Sequence, residues 1–252
     1  MINSNIYGRT AARSVINQLG CFSVVEYLKD LSVSPSTAQT AYFMSKMGVR
    51  KRQVIAKLDN NGIIIQAGAM QMMAGNVQMN TNVKGVGDAI GKFFGSKVTG
   101  ESAIKPRYFG NGDVIFEPTY KYIILQNLAD WNGAVTIDDG LFLACDDTVQ
   151  MSVTARSNFS SAVAGGEGLF NTTLHGQGVI VLESPVPSDE LMVFDLQNDV
   201  LKIDGNFAIA WSQSLQFTVE KSTRSLIGSA ASGEGLVNVY RGTGRVLAAP
   251  VG

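Results

Sequence analysis

Cysteine, histidine and charge are all scarce in this chain of 252 residues, and each shortage removes a class of function. The two cysteines, Cys21 and Cys145, make no disulfide framework; they read as small buried thiols of a protein held in a reducing, cytoplasmic compartment. One histidine, His175, cannot complete a four-ligand zinc site with two cysteines unless carboxylates help. Nothing in the spacing of Ser, Asp and His suggests a catalytic triad. Charged residues make up 16% of the chain and the net charge is −1, which argues against the clustered basic surface that grips nucleic acid. The densest basic cluster, Arg50-Lys51-Arg52, has no aromatic interleaving for base stacking and is expected to be a solvated strand entry. The first residues hold no apolar run long enough for a signal peptide or a membrane span. The aspartate pairs Asp138-Asp139 and Asp146-Asp147 lack the further oxygens of a calcium loop and read as turn residues. No metal, cofactor or nucleic acid is expected.

Glycine is abundant, at 27 residues, and it is placed periodically. Gly-x-Gly pairs stand at Gly110/Gly112, Gly176/Gly178 and Gly242/Gly244, at a constant step of 66 in the numbering. Each pair feeds a short apolar run, VIF, VIVL or VLAA, and then a proline, Pro118, Pro185 or Pro250, the pattern of a turn entering a strand. Upstream of each pair sits a Gly-Glu motif, at Glu101, Glu167 and Glu234. A second block, Thr136 to Val153, matches Lys202 to Val219 at the same step, with Ile137 over Ile203 and Asp138 over Asp204. A worn third copy, IQAGAMQMMAGNVQM, places Gly68 under Gly140 at a slightly longer step, 72 in the numbering. Such periods signal repeated structural units.

Within the units the pattern is that of strands. VQMSVT puts Val149, Met151 and Val153 on one face, and LQFTVE does the same with Leu215, Phe217 and Val219, the period-2 alternation of half-buried antiparallel sheets. FAIAW suits a tightly packed inner layer, with Trp131 and Trp211 as core or module-interface anchors. At about 5–6 residues per strand, one unit makes some six strands. The expected fold is all-β with little helix: tandem antiparallel β-sandwich modules on a repeat of about 66 residues. The expected divisions are an N-terminal extension over 1–45, a divergent first module over 46–99, modules over 100–165 and 166–232, and a truncated repeat over 233–252 that closes the last sheet. In the extension, GRTAARSVINQLG has too few arginines for a transit peptide and is expected as a helix or loop, FSVVEYL as a strand, and residues near 36–47 as a helix after Ser-Pro-Ser-Thr.

Residues 82–98 differ in character from their surroundings. Val86, Ile90, Phe93 and Phe94 recur at helical spacing while Gly87, Gly91 and Gly95 share another face. The segment is a Gly-rich insertion and the candidate for partner or peripheral membrane contact, with Lys84, Lys92 and Lys97 beside it.

GGEGLFNTTLHGQGVIVLESP, LKIDGNFAIAW and SGEGLVNVYRGTGRV resemble the family of the yeast protein Altered Inheritance of Mitochondria 24, over about Arg52 to Pro250. The resemblance implies β-sandwich modules similar to the tryptophan RNA-binding attenuation protein, and for the mitochondrial branch a role in inner-membrane organisation. It brings no catalytic residues, and RNA binding does not follow from a shared fold. The expected function is that of a non-enzymatic scaffold or interaction protein, homo-oligomeric and in contact with a membrane. The alternative is a ligand- or ion-binding protein or enzyme with a pocket at the module junction, where Glu101, Glu167 and Glu234 would converge and raise one another's pKa or recruit a cation. The ligand of such a pocket is not legible.

Overall fold

Three residues other than glycine adopt a left-handed backbone among those described, Asn60, Asn132 and Asn198, and they follow the steps of the repeat, 72 and then 66 in the numbering. Asparagine tolerates this conformation because its short side chain bonds locally. The computed structural model describes residues 2–81, 105–155, 170–205, 207–221 and 236–251. In it, the three asparagines mark corners where strands bend sharply or break.

The chain opens with a hairpin. β1 (Arg13–Leu19) and β2 (Phe22–Tyr27) pair through the two-residue turn Gly20-Cys21, Gly20 having φ 57. The segment expected as a helix or loop is therefore a strand. Its Val15 and Ile16 stay exposed, so what makes it extended is pairing with FSVVEY rather than burial of an apolar stripe. α1 (Ala38–Lys46) follows where a helix is expected and buries no residue.

Three units of the same plan come next. In the first, β3 (Arg52–Ile65) and β4 (Met70–Asn80) flank β5 (Arg107–Phe116), which pairs with both. In the second, each long strand is split at the corner. β6 (Tyr122–Asn127) and β7 (Ala134–Ile137) are separated by a 3-10 turn at Leu128–Trp131; β8 (Phe142–Asp146) and β9 (Val149–Ala155) follow, then β10 (Phe170–Gly176) and β11 (Val179–Ser184). Here β11 lies between β6 and β8, and β10 between β7 and β9. In the third, β12 (Met192–Asp204) pairs with β15 (Leu236–Ala248) on one side, and β13 (Ala208–Ser212) and β14 (Gln216–Lys221) pair with it on the other. The C-terminal segment thus supplies the central strand of the third unit, and the N-terminal hairpin adds to β3 rather than to it.

The ladders are antiparallel throughout the described residues and form two curled sheets. One runs β1-β2-β3-β8-β11-β6 with β5 and β4 built on β3; the other runs β12-β15-β13-β7-β10-β9 with β14 on β15. The middle unit has one leg in each sheet. Curling of the first sheet brings β1 against β6.

The Gly-x-Gly pairs are the corners of the central strands. Gly110 and Gly112 have φ of 124 and 151, and a Cβ on either would collide with the carbonyl oxygens of Asn76 and Ala74 on β4. A side chain fits neither the torsion nor the space. One core fills the space between the sheets, from Ile124, Phe142, Ile180 and Leu182 on one side and Ile137, Leu174, Ala210 and Leu247 on the other. A second lies inside the first sheet around Phe22, Ile63 and Phe116, and a third around Trp211 and Tyr240 in the second. Trp211 stacks on Phe217 at 5.4 Å between centroids and meets Tyr240 edge-on at 5.4 Å. With about 1.5–3 kcal/mol gained per fully buried large apolar side chain, these cores hold the chain together. Both tryptophans are core anchors, as expected.

Candidate functional site

The residues singled out from the sequence as a site, Glu101, Glu167 and Glu234 together with Val86, Ile90, Phe93 and Phe94, lie outside the described residues. Their place in the topology is common to the three units: each glutamate belongs to the connection from a flanking strand into the central strand, β4 to β5, β9 to β10 and β14 to β15. These connections leave and re-enter at paired ends, Asn80 opposite Arg107, Ala155 opposite Phe170 and Lys221 opposite Leu236.

Elsewhere the titratable groups clip strands together. Arg52 is buried, ion-paired with Glu26 at 2.8 Å, and stacked 4.1 Å over the Tyr122 ring; Arg50 reaches the other oxygen of Glu26 at 3.2 Å, and Lys51 pairs with Asp30 at 3.0 Å. The basic cluster is therefore not a solvated strand entry. The carboxylates that neutralise it come from the N-terminal extension, a long-range pairing that local sequence does not reveal.

Cys21, in the turn of the first hairpin, donates from Sγ to Asp146 Oδ1 at 3.5 Å, and the Val179 N–H donates to Asp146 Oδ2 at 2.7 Å. Burial first, and then the neighbouring Asp146 charge, push the Cys21 thiol up to about 12. A thiol held protonated is a poor nucleophile. Burial also raises the Asp146 carboxyl, against the Val179 N–H, which lowers it. Tyr7 donates to Asp113 Oδ1 at 2.6 Å, and burial followed by that carboxylate raises its hydroxyl strongly. The His175 ring meets Gln150 Oε1 at 3.1 Å on the surface of β10 and β9. Among the described residues no group of His, Cys, Asp and Glu is placed to hold a metal ion, and no buried side-chain nitrogen or oxygen lacks a partner.

An open groove of about 240 Å³ lies at the corner of the third unit. Arg245 on β15 grips Asp195 on β12 there with two bonds, Nε to Oδ1 at 2.7 Å and Nη2 to Oδ2 at 3.2 Å, and this holds the Asp195 carboxyl below the ordinary carboxylate range. Ser212 Oγ accepts from the Arg245 N–H, and Ser214 Oγ donates to the Thr243 carbonyl. These polar groups tie the corner together.

Strand edges are the feature without such internal partners: among the described residues β1, β4, β6, β9, β12 and β14 each have a ladder partner on one side only. The two longest of these are β4, which among the described residues pairs with β5 alone, and β12, which pairs with β15 alone. Both are long, and both expose apolar side chains: Met72 is 48% and Met73 43% exposed on β4, Val193 54% and Val200 47% on β12. An open edge presents unpaired N–H and C=O groups to any strand that fits. Sequence reasoning missed these residues. Alternation finds a strand, whereas being at an edge depends on which neighbour the chain fails to supply.

Comparison with known proteins agrees with this architecture. The sequence model of the AIM24 family, described as mitochondrial biogenesis AIM24, matches residues 46–251. An uncharacterized protein of Streptococcus pyogenes serotype M6 is 29% identical over 198 residues, covering 75% of this chain and 77% of that protein. The crystal structure of a Streptococcus pyogenes protein, solved as a structural-genomics target, superposes with a TM-score of 0.59 at 25% identity, covering 81% of this chain and 89% of that one.

Proposed function

The chain belongs to the AIM24 family, and from that footing we propose that it is a non-enzymatic β scaffold that assembles with copies of itself through its strand edges and contacts a membrane peripherally. The observation that carries the reading is the pair of long edges left open among the described residues, with exposed methionine and valine side chains. Natural sheets usually protect such edges with charge, proline or a covering segment. The protonated Cys21 thiol and, among the described residues, the fully partnered buried polar groups are the chemistry of a frame rather than of a reaction centre. Among the described residues no helix is long and apolar enough to cross a membrane, and the contact is assigned to Val86, Ile90, Phe93 and Phe94, whose spacing makes an apolar stripe beside lysines.

Light scattering on the purified protein, with and without anionic liposomes, tests both halves. A discrete oligomer is expected, co-floating with liposomes and losing that association in a Phe93→Ser, Phe94→Ser variant. A monomer indifferent to lipid overturns the proposal and turns attention to ligands for the Asp195–Arg245 groove.

A further inference from the structure

The three units are joined twice inside the chain, and the two joints are superimposable in register. At the first, β3 meets β8 with Ile63 opposite Asp146, Ile64 opposite Cys145 and Ile65 opposite Ala144. The Gln66 N–H donates to the Leu143 carbonyl at 2.8 Å and the Asp147 N–H to the Gly62 carbonyl at 3.0 Å. At the second, β7 meets β13 with Val135 opposite Ser212, Thr136 opposite Trp211 and Ile137 opposite Ala210. There the Asp138 N–H donates to the Ile209 carbonyl at 3.0 Å and the Gln213 N–H to the Ala134 carbonyl at 3.4 Å. Advancing each strand by the step of the repeat, from Ile63 to Val135 on one side and from Asp146 to Ser212 on the other, turns one joint into the other, pair by pair and bond by bond.

The same step leads to the two open edges. The position of β3 and β7 in the third unit is taken by residues 200–204 of β12, and the position of β8 and β13 in the first unit by residues 71–75 of β4. Within the described chain neither has a strand on that side. We infer that residues 200–204 of one copy pair antiparallel with residues 71–75 of a second copy, in the register of the internal joints. This deepens the scaffold reading and rests on it.

The register is specific. Leu201 faces Ala74, Lys202 faces Met73 and Ile203 faces Met72. The Asp204 N–H donates to the Gln71 carbonyl, and the Gly75 N–H to the Val200 carbonyl. The burial pattern agrees. At the internal joints Ile63, Ile65, Cys145, Ile137 and Trp211 are all buried, whereas Met72, Met73 and Val200 at the open edges are 48%, 43% and 47% exposed. Apolar side chains sit where the internal joints cover them. Lys202, at the position of Ile64 and Thr136, lays an aliphatic stem across the joint and keeps its ammonium in water. Because the two edges are different strands, the contact is head-to-tail: it closes into a ring, of two copies or more, or runs on as a filament.

Cysteine pairing tests the register. Ile203 and Met72 fall at a non-hydrogen-bonded pair, where opposed side chains stand closest. A Met72→Cys chain mixed with an Ile203→Cys chain and mildly oxidised is expected to give a disulfide-linked pair of chains, several-fold above what either variant or the parent protein gives alone. Met73→Pro, which removes a backbone donor of the joint, added to the Met72→Cys chain is expected to return the yield to background. An oligomer by light scattering without the mixed cross-link overturns this register while leaving the scaffold reading standing; a monomer overturns both. A chain carrying both cysteines that cross-links only within itself shows the edges meeting in one copy, and overturns the inference.

Discussion

The middle unit and the outer units share one strand plan, yet they end up in opposite circumstances. In the middle unit the strands break at the corner, one leg enters each sheet, and both flanks are joined, β8 to β3 and β7 to β13. In the outer units β4 and β12 run through their corners and, among the described residues, have a strand on one side only. The same kind of residue is therefore core in one unit and surface in another: Cys145 and Ile137 are fully buried, while Met73 and Val200 are 43% and 47% exposed. Position in the array, more than side-chain chemistry, decides burial here.

Substitutions can break that comparison or sharpen it. The largest loss is expected at the internal joint: Trp211→Ala removes the ring that stacks on Phe217 and meets Tyr240 edge-on and should cost about 3–5 kcal/mol in a denaturant titration of the intact chain. Arg52→Ala, which removes the buried partner of Glu26 and the stack over Tyr122 and leaves the carboxylate to Arg50 alone, should cost about 1–3 kcal/mol by the same measurement. Asp146→Ala leaves the Val179 N–H without its acceptor and should cost roughly 1–3 kcal/mol. At the open edge, Met73→Ala and Lys202→Ala should change the stability of a single chain by less than about 0.5 kcal/mol while altering the mass seen by light scattering. A loss at Met73 as large as that at Trp211 would place β4 in a core and end the distinction between joined and open edges.

Asp146 also gives a pH test. Burial raises its carboxyl in the folded chain, so its contribution is fully present below the ordinary carboxylate range and is lost as pH rises through the raised value. Asp146→Asn keeps an acceptor for Val179 and removes that loss. Its stability relative to the parent is therefore expected to increase as pH rises across this interval, and thermal melts at a series of acidic pH values read the trend. A flat difference across the series means that burial does not perturb Asp146.

Much of the architecture was legible without coordinates. The constant spacing of the Gly-x-Gly pairs locates the corner of every central strand, because only glycine tolerates the torsions and the close carbonyls found at Gly110 and Gly112. Alternation in VQMSVT and LQFTVE identifies β9 and β14. Less legible was the first hairpin, since RSVINQL has no inward-facing apolar set and becomes a strand only through its partner. The candidate site was least legible. Glu101, Glu167 and Glu234 mark the connection common to the three units, while Met72, Met73, Leu201 and Ile203 look in sequence like any other strand residues.

By itself, then, the sequence determined the periodicity, the all-β class, the corners and the anchors Trp131 and Trp211, because these depend on local torsions and on apolar spacing along a strand. Tertiary structure alone decided which strands become neighbours, that Glu26 answers Arg52, and that β4 and β12 remain at the edges. Those outcomes depend on hydrogen-bond partners far along the chain, and a strand's own residues carry no record of whether its second side is filled.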